Sequence, residues 1–108
     1  MDQPDVIRDY FAADAQKDTD AVVALFAEDA VVVDEERTWR GPGEIRAWRD
    51  GVASRFEYST EVLTVADEGD HRFLVSGRIE GDFPGGTADL TWRFTVTGNR
   101  IKALEIAP

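Results

Sequence analysis

Two carboxylates and a phenol carry the most legible chemistry in this sequence. Asp34 ends the short β-branched run Ala30-Val31-Val32-Val33. Tyr10 and Asp14 lie one helical turn apart in a segment that also holds Ile7 and Phe11. A carboxylate at the mouth of an apolar cup loses solvation, and its pKa rises toward that of a useful base. Such a base contributes roughly 10²–10⁴-fold to a proton transfer. A tyrosine hydroxyl aimed into the same space can donate to a developing oxyanion. Plainer readings stand beside these. Asp34 can simply end a strand in an acidic, solvated turn with Glu35 and Glu36. Tyr10 can be a core tyrosine with a local partner, and Asp14 can line a pocket or cap a neighbouring element. Trp39, Trp48, Phe56, Tyr58, Trp92 and Phe94 are many aromatics for a small domain. Each alone reads as core, and together they suit the wall of a pocket for a flat hydrophobic ligand.

Composition excludes most other chemistry. There is no Cys, so disulfide scaffolds, thiolate zinc sites and cysteine nucleophiles are ruled out. The only His, His71, follows the polar turn Asp67-Glu68-Gly69-Asp70 and reads as a surface residue. Asp34-Glu35-Glu36 lacks the spacing of a calcium loop, so no metal site is expected, and no cofactor is signalled. Twelve Lys plus Arg against 22 Asp plus Glu give a net charge of −10, spread along the chain. That balance disfavours nucleic acid, whose phosphates need a basic footprint, and an anionic membrane surface. No run approaches the roughly 20 apolar residues of a membrane span, and the start MDQPDVIRDY is too polar for a signal peptide. A soluble cytoplasmic protein is the expectation. The 108 residues suit a single domain, 1–108, with one modest core.

The elements that must position these groups follow from periodicity. A first helix is expected over about Asp5 to Gln16, after Pro4. Asp18 or Thr19 can cap a second helix, with Val22, Leu25 and Phe26 as its stripe. A short strand then ends at Asp34, and Glu35, Glu36 and Arg37 form a polar turn before Trp39. Pro42 suits the first position of a third helix, where Ile45, Trp48 and Val52 make one apolar face. The remainder alternates with period two. Phe56, Tyr58, Thr60 and Val62 share one face of a long strand. Phe73, Val75, Gly77 and Ile79 share a face of the next, opposite Leu74, Ser76, Arg78 and Glu80. After the turn Asp82-Phe83-Pro84-Gly85-Gly86, Leu90, Trp92, Phe94 and Val96 lie opposite Asp89, Thr91, Arg93 and Thr95. Gly98-Asn99 turns the chain into Ile101 to Ile106. The fold class is α+β: a cone-shaped, curved, mostly antiparallel sheet with three helices closing its concave face.

That order of elements resembles the nuclear transport factor two-like superfamily, specifically its SnoaL-like and ketosteroid isomerase-like members. The likeness covers nearly the whole chain. It is densest in DYFAADAQKDTDAVVALFAEDAVVVDEE, in WRGPGEIRAW and in TWRFTVTGNRIKALE. The resemblance implies that Tyr10 is the oxyanion donor and Asp34, reached from it without a gap, the general base. It also implies a second donor, a protonated Asp, but the matching position holds Leu90. Asp89, one residue away, turns to the opposite face. Gly77 stands where the isomerases carry a bulky apolar residue, so it either widens the pocket or marks a sheet bend.

The expected function is a pocket for a small hydrophobic or aromatic molecule. The expected chemistry is proton transfer on a carbonyl compound, of isomerase, cyclase or dehydratase type. Asp34 and Tyr10 would be catalytic. Asp14, Trp39, Trp48, Phe56, Tyr58, Phe73, Val75, Leu90, Trp92 and Phe94 would line the pocket. A non-catalytic binding or dimerisation module with the same pocket is the alternative. Epoxide hydrolysis, which this fold also hosts, needs an Asp-Arg-Asp cluster inside the cup. It ranks last, because Arg78 and Arg93 point outwards and read as surface partners of Glu80 and Asp89. A homodimer through the outer sheet face, with Leu63 and Leu74 outward, completes the expectations.

Overall fold

The computed structural model describes residues 5–55 and 57–108. Phe56, expected on the cup wall, lies outside them, as does the side chain of Val52. In chain order the elements are α1 (Asp5–Ala15), α2 (Thr19–Ala24), β1 (Phe26–Asp34), β2 (Arg37–Arg40), α3 (Gly41–Arg55), β3 (Tyr58–Gly69), β4 (Arg72–Gly81), β5 (Thr87–Thr97) and β6 (Arg100–Ala107). The strands form one six-stranded sheet in the order β2-β1-β6-β5-β4-β3. All neighbours are antiparallel except β1 and β6, which run parallel. The sheet is curved and unclosed, and the three helices complete an α+β architecture.

The helices begin and end where the side chains require. Asp18 caps α2 by accepting from the Ala21 N–H at 3.1 Å. Glu44, in the first turn of α3, accepts from the Arg40 N–H at 2.8 Å. The second helix is shorter than its apolar spacing predicts. It stops at Ala24, and Phe26 belongs to β1 and not to the helical stripe. The sheet claims this segment: the Ile101 N–H donates to the Leu25 carbonyl at 2.8 Å, and Phe26 pairs with Ile101.

The polar turn before Trp39 is tighter than expected. Asp34 pairs with Arg37, so Glu35 and Glu36 alone connect two strands. Both are left-handed, with φ of 53° and 64°. This is the backbone a two-residue hairpin needs to match strand twist, here built from residues that adopt it reluctantly. The hairpin turns Arg37 over the Trp39 ring, 4.4 Å from its centroid.

Strand alternation sorts the rest. Val75, Trp92, Phe94, Val96 and Leu104 are buried, while Arg78, Asp89 and Arg93 are exposed. The outer charges pair differently from the sequence expectation. Arg78 meets Asp89, its directly opposite residue, at 2.8 Å, and Arg93 reaches across to Glu68 at 3.0 Å. Glu80 lies two residues along from Arg78 on the same strand, and cross-strand reach decides the partner. The core runs through Ile7, Val22, Val32, Ile45, Phe94 and Ile101.

Gly77 marks close backbone approach at a bend. It pairs with Val62, immediately before a register shift in β3. A Cβ there would lie 2.5 Å from the Glu61 carbonyl oxygen and 3.1 Å from the Trp92 ring. Gly77→Ala is therefore expected to destabilise the fold by about 1–3 kcal/mol, as overpacking does. Urea unfolding checks this, and an unchanged midpoint would contradict the close approach.

Candidate functional site

The chain bends its sheet around a cavity of about 710 Å³. Tyr10 and Asp14 of α1, Asp34 at the end of β1, Arg49 of α3 and Tyr58 of β3 all line it. Leu90, Trp92, Ile79 and Ile106 supply apolar wall, and Glu35, Glu36 and Glu105 also border the space. Among the pocket residues expected from sequence, Asp34, Tyr10, Asp14, Tyr58, Leu90 and Trp92 thus come together.

Four others do not. Val75 and Phe94 are fully buried core residues, and Phe73 packs against that core partly buried. The reason is that α1 fills this end of the cup with rings. Tyr10 stands edge-on to Phe94 at 5.5 Å, and Phe11 edge-on to Phe94 at 6.0 Å and to Trp92 at 5.3 Å. Trp39 borders a separate hollow of about 150 Å³, shared with Arg37, Trp48 and Asp34. Trp48 is likewise absent from the main wall, but it touches the chemistry directly. Its Nε1–H donates to Asp34 Oδ2 at 2.9 Å.

Asp34 sits in two opposing environments. Burial raises its carboxyl pKa above the ordinary range, with the negative charge of Glu35 adding to the rise. The Trp48 hydrogen bond and the charge of Arg49 pull the other way but do not cancel it. Tyr10 is 1% exposed, and burial drives its hydroxyl far above the usual phenol range. Tyr10 also lines the cavity. It is a neutral donor at any working pH.

Sequence reasoning missed Arg49. Its Nη2 lies 2.5 Å from Asp14 Oδ1 and 2.5 Å from the Tyr58 hydroxyl oxygen. Tyr58 in turn donates to Asp14 Oδ1 at 2.9 Å. The side chains of Arg49 and Asp14 are only 7% and 8% exposed. Burial opposes the guanidinium charge, but Tyr10, Asp14 and Tyr58 around it more than offset that. Burial pushes the Tyr58 hydroxyl up to about 12. An arginine paired with a carboxylate inside the cup was expected to be missing, and it is present. Arg78 and Arg93 do point outwards, but Arg49 points in. Helical phase carried the signal: Arg49 follows the buried Ile45 by four residues, on one face of α3.

With this geometry in view, the comparisons with known proteins fall into place. The SnoaL-like domain profile matches residues 7–104. The chain belongs to the SnoaL-like family. A proposed polyketide cyclase from Sinorhizobium meliloti is similar over 99% of this chain and 97% of its own, at 40% identity and a TM-score of 0.92. A ketosteroid isomerase-like protein from Catenulispora acidiphila, solved with trimethylamine, superposes with a TM-score of 0.88 at 18% identity, over 99% of this chain and 87% of its own. SalBIII, an epoxide hydrolase/cyclase-like enzyme of pyran ring formation in salinomycin, gives 0.83 at 20% identity, over 94% of this chain and 86% of its own. The last two show the fold alone. Among curated proteins, none matches the chain. Among the described residues, no helix is long and apolar enough to cross a membrane.

The raised Asp34 pKa has a consequence for stability. The folded chain binds this proton more tightly than the unfolded chain does. The resulting stabilisation is complete below the unfolded carboxyl pKa and is lost as pH rises through the higher folded pKa. Asp34→Asn removes that loss while keeping an oxygen for Trp48. Thermal melts between about pH 4 and about pH 8 should show the variant melting no lower than wild type at neutral pH, with a flatter pH profile. A variant that melts well below wild type at neutral pH contradicts the desolvated state of Asp34.

Proposed function

We propose that this SnoaL-like protein binds a small, flat carbonyl compound and moves a proton on it, as in aldol-type cyclisation or isomerisation. Asp34 is the general base and Tyr10 the donor to the carbonyl oxygen. One observation carries the reading. A carboxylate whose pKa is raised by desolvation, with one oxygen held by Trp48, shares an apolar-walled cavity with the Tyr10 side chain. In the step, the Asp34 carboxylate takes the proton from the carbon beside the carbonyl. The C–H electron pair becomes a C=C bond, and the carbonyl oxygen takes up the displaced pair as an enolate. The likeness to the Sinorhizobium meliloti protein supports a polyketide-type substrate with several carbonyl groups.

A second reading is favoured by Arg49, paired with Asp14, lining the same cavity as Asp34. There, water adds to an epoxide: a carboxylate accepts the water proton, and the opened oxygen receives one in return. Conversion of an aryl epoxide to its diol, with ketones left untouched, would select this reading over the first.

The test uses proton exchange and isomerisation of β,γ-unsaturated and 1,3-dicarbonyl compounds. Wild type should be active, with a rate that rises with pH through the raised Asp34 pKa. Asp34→Asn should abolish turnover and leave ligand binding, read by tryptophan fluorescence, largely intact. Tyr10→Phe should lower the rate by roughly 10²–10³-fold. Equal inactivity of wild type and Asp34→Asn, with ligand binding retained in both, would make the protein a binding module.

The same reading includes a homodimer through the outer sheet face. Leu63, at the register shift of β3, is 55% exposed. A leucine held out to solvent on a strand can serve as the centre of a self-complementary contact. Sedimentation at micromolar concentration should give twice the 12.0 kDa of one chain. Leu63→Glu should shift it to a monomer, and a monomeric wild type would contradict the dimer.

A further inference from the structure

An oxyanion site with one donor is weak, and the position where the family pattern calls for a second donor holds Leu90, whose side chain lines the cavity. A different residue stands ready nearby. Arg49 also lines the cavity, and both contacts that fix it leave from one nitrogen. Nη2 lies 2.5 Å from Asp14 Oδ1 and 2.5 Å from the Tyr58 oxygen. The indole of Trp48 stacks on the guanidinium, whose central carbon is 4.7 Å from the ring centroid. Nε and Nη1 therefore keep three N–H groups with no described partner. They are not buried orphans either: among the described residues, the buried nitrogen without a partner is Trp39 Nε1. In a side chain only 7% exposed, the unpartnered N–H groups must be reached from the cavity it lines.

We infer that Arg49 is the second donor of the site, and that its free N–H groups and the Tyr10 hydroxyl hold one oxygen of the substrate between them. The inference rests on the carbonyl reading above. A guanidinium does what a neutral hydroxyl cannot: it meets a full negative charge with a full positive one, through donors already fixed in place. The substrate class follows. The site suits carbonyl compounds whose carbon acid is relayed through a true enolate, such as 1,3-diketones and poly-β-keto compounds. Asp14 and Tyr58 are positioning residues. They hold Arg49 by Nη2 and so turn the rest of the fork toward the ligand. The groups that face Arg49 are Tyr10 and Asp14 from α1, Asp34 from β1 and Tyr58 from β3. Asp34 is the one carboxylate among them without an arginine bonded to it, and it opposes any anion at the same place.

The test reads charge at the oxygen without relying on turnover. The probe is 4-nitro-1-naphthol, a flat phenol whose anion is coloured. Its ionisation is titrated free and protein-bound, in wild type, Asp34→Asn, Arg49→Lys and the double variant Asp14→Asn/Arg49→Gln. The double variant removes both charges together, so no unpaired ion is left buried. Circular dichroism confirms that each variant is folded. If Arg49 meets the oxygen, the bound naphthol ionises at least about tenfold more readily than the free one, a drop of about one pKa unit. The drop deepens in Asp34→Asn, persists in part in Arg49→Lys and vanishes in the double variant. An apolar pocket lacking this donor shifts the probe the opposite way, because burial disfavours the anion. A bound probe that ionises less readily than the free one in wild type overturns the role of Arg49. So does an equal drop in the double variant. Failure of the probe to bind overturns both the pocket and this role. Turnover by wild type but not by Asp34→Asn, together with an unshifted probe, leaves the carbonyl reading standing and removes Arg49 alone.

Discussion

A buried guanidinium cannot be left without its counter-charge, and the elements around the cavity are arranged by that constraint. Asp14 comes from the last turn of α1, Arg49 from the second half of α3 and Tyr58 from the first residue of β3. Three separate pieces of chain must therefore arrive at one point. Deleting one partner of such a pair typically costs about 3–5 kcal/mol, far more than a displaced surface charge. Apolar packing alone would let α1 slide along the sheet by part of a turn. The ion pair does not, because a hydrogen-bonded charge tolerates little displacement. Tyr58 completes the arrangement as a neutral hydroxyl, accepting from Arg49 and donating to Asp14.

The same pair separates the roles of two carboxylates in one cavity. Asp14 is bound on both sides, by Arg49 and by Tyr58, and is occupied with structure. Asp34 receives the Trp48 indole N–H, and the Glu35 backbone and the charge of Arg49 also favour its anion, but desolvation outweighs them. Environment, more than residue type, decides which carboxyl group can exchange a proton with a ligand. The left-handed Glu35-Glu36 turn follows at once and adds negative charge beside it. Asp34 is thus held at the end of a strand by the shortest connection a hairpin allows.

Much of this was legible in the sequence. Period-two alternation set the inward and outward faces of β4 and β5, because a one-residue slip would expose Trp92 and bury Arg93. The gapless interval from Tyr10 to Asp34, on the resemblance, identified two groups that the fold brings to one cavity. What escaped was decided by distant partners. Phe26 reads as helix in its local pattern, and only pairing with Ile101 makes it strand. Trp48 reads as core, and nothing local indicates that its nitrogen reaches Asp34. Arg49 is one of several arginines between Arg37 and Arg55, and its charge suggests a solvated face. Its importance depends on Asp14, 35 residues earlier, and a single sequence does not display that pairing. The outer ion pairs failed for a similar reason, since strand register, and not proximity in the chain, chose Asp89 and Glu68.

The place of β6 in the sheet has a further consequence. It lies between β1 and β5 and is the parallel partner of β1. During synthesis, therefore, the strand that ends in Asp34 leaves the ribosome long before its neighbour on that side exists. Until residues beyond Arg100 emerge, β1 has only the short β2 hairpin to pair with, and its other edge stays open. Edges of this kind invite wrong partners, and closing a sheet over so long an interval is slow. The cavity is accordingly among the last features of the molecule to take shape. A nascent chain carries the residues of the site well before it has the walls that change their chemistry.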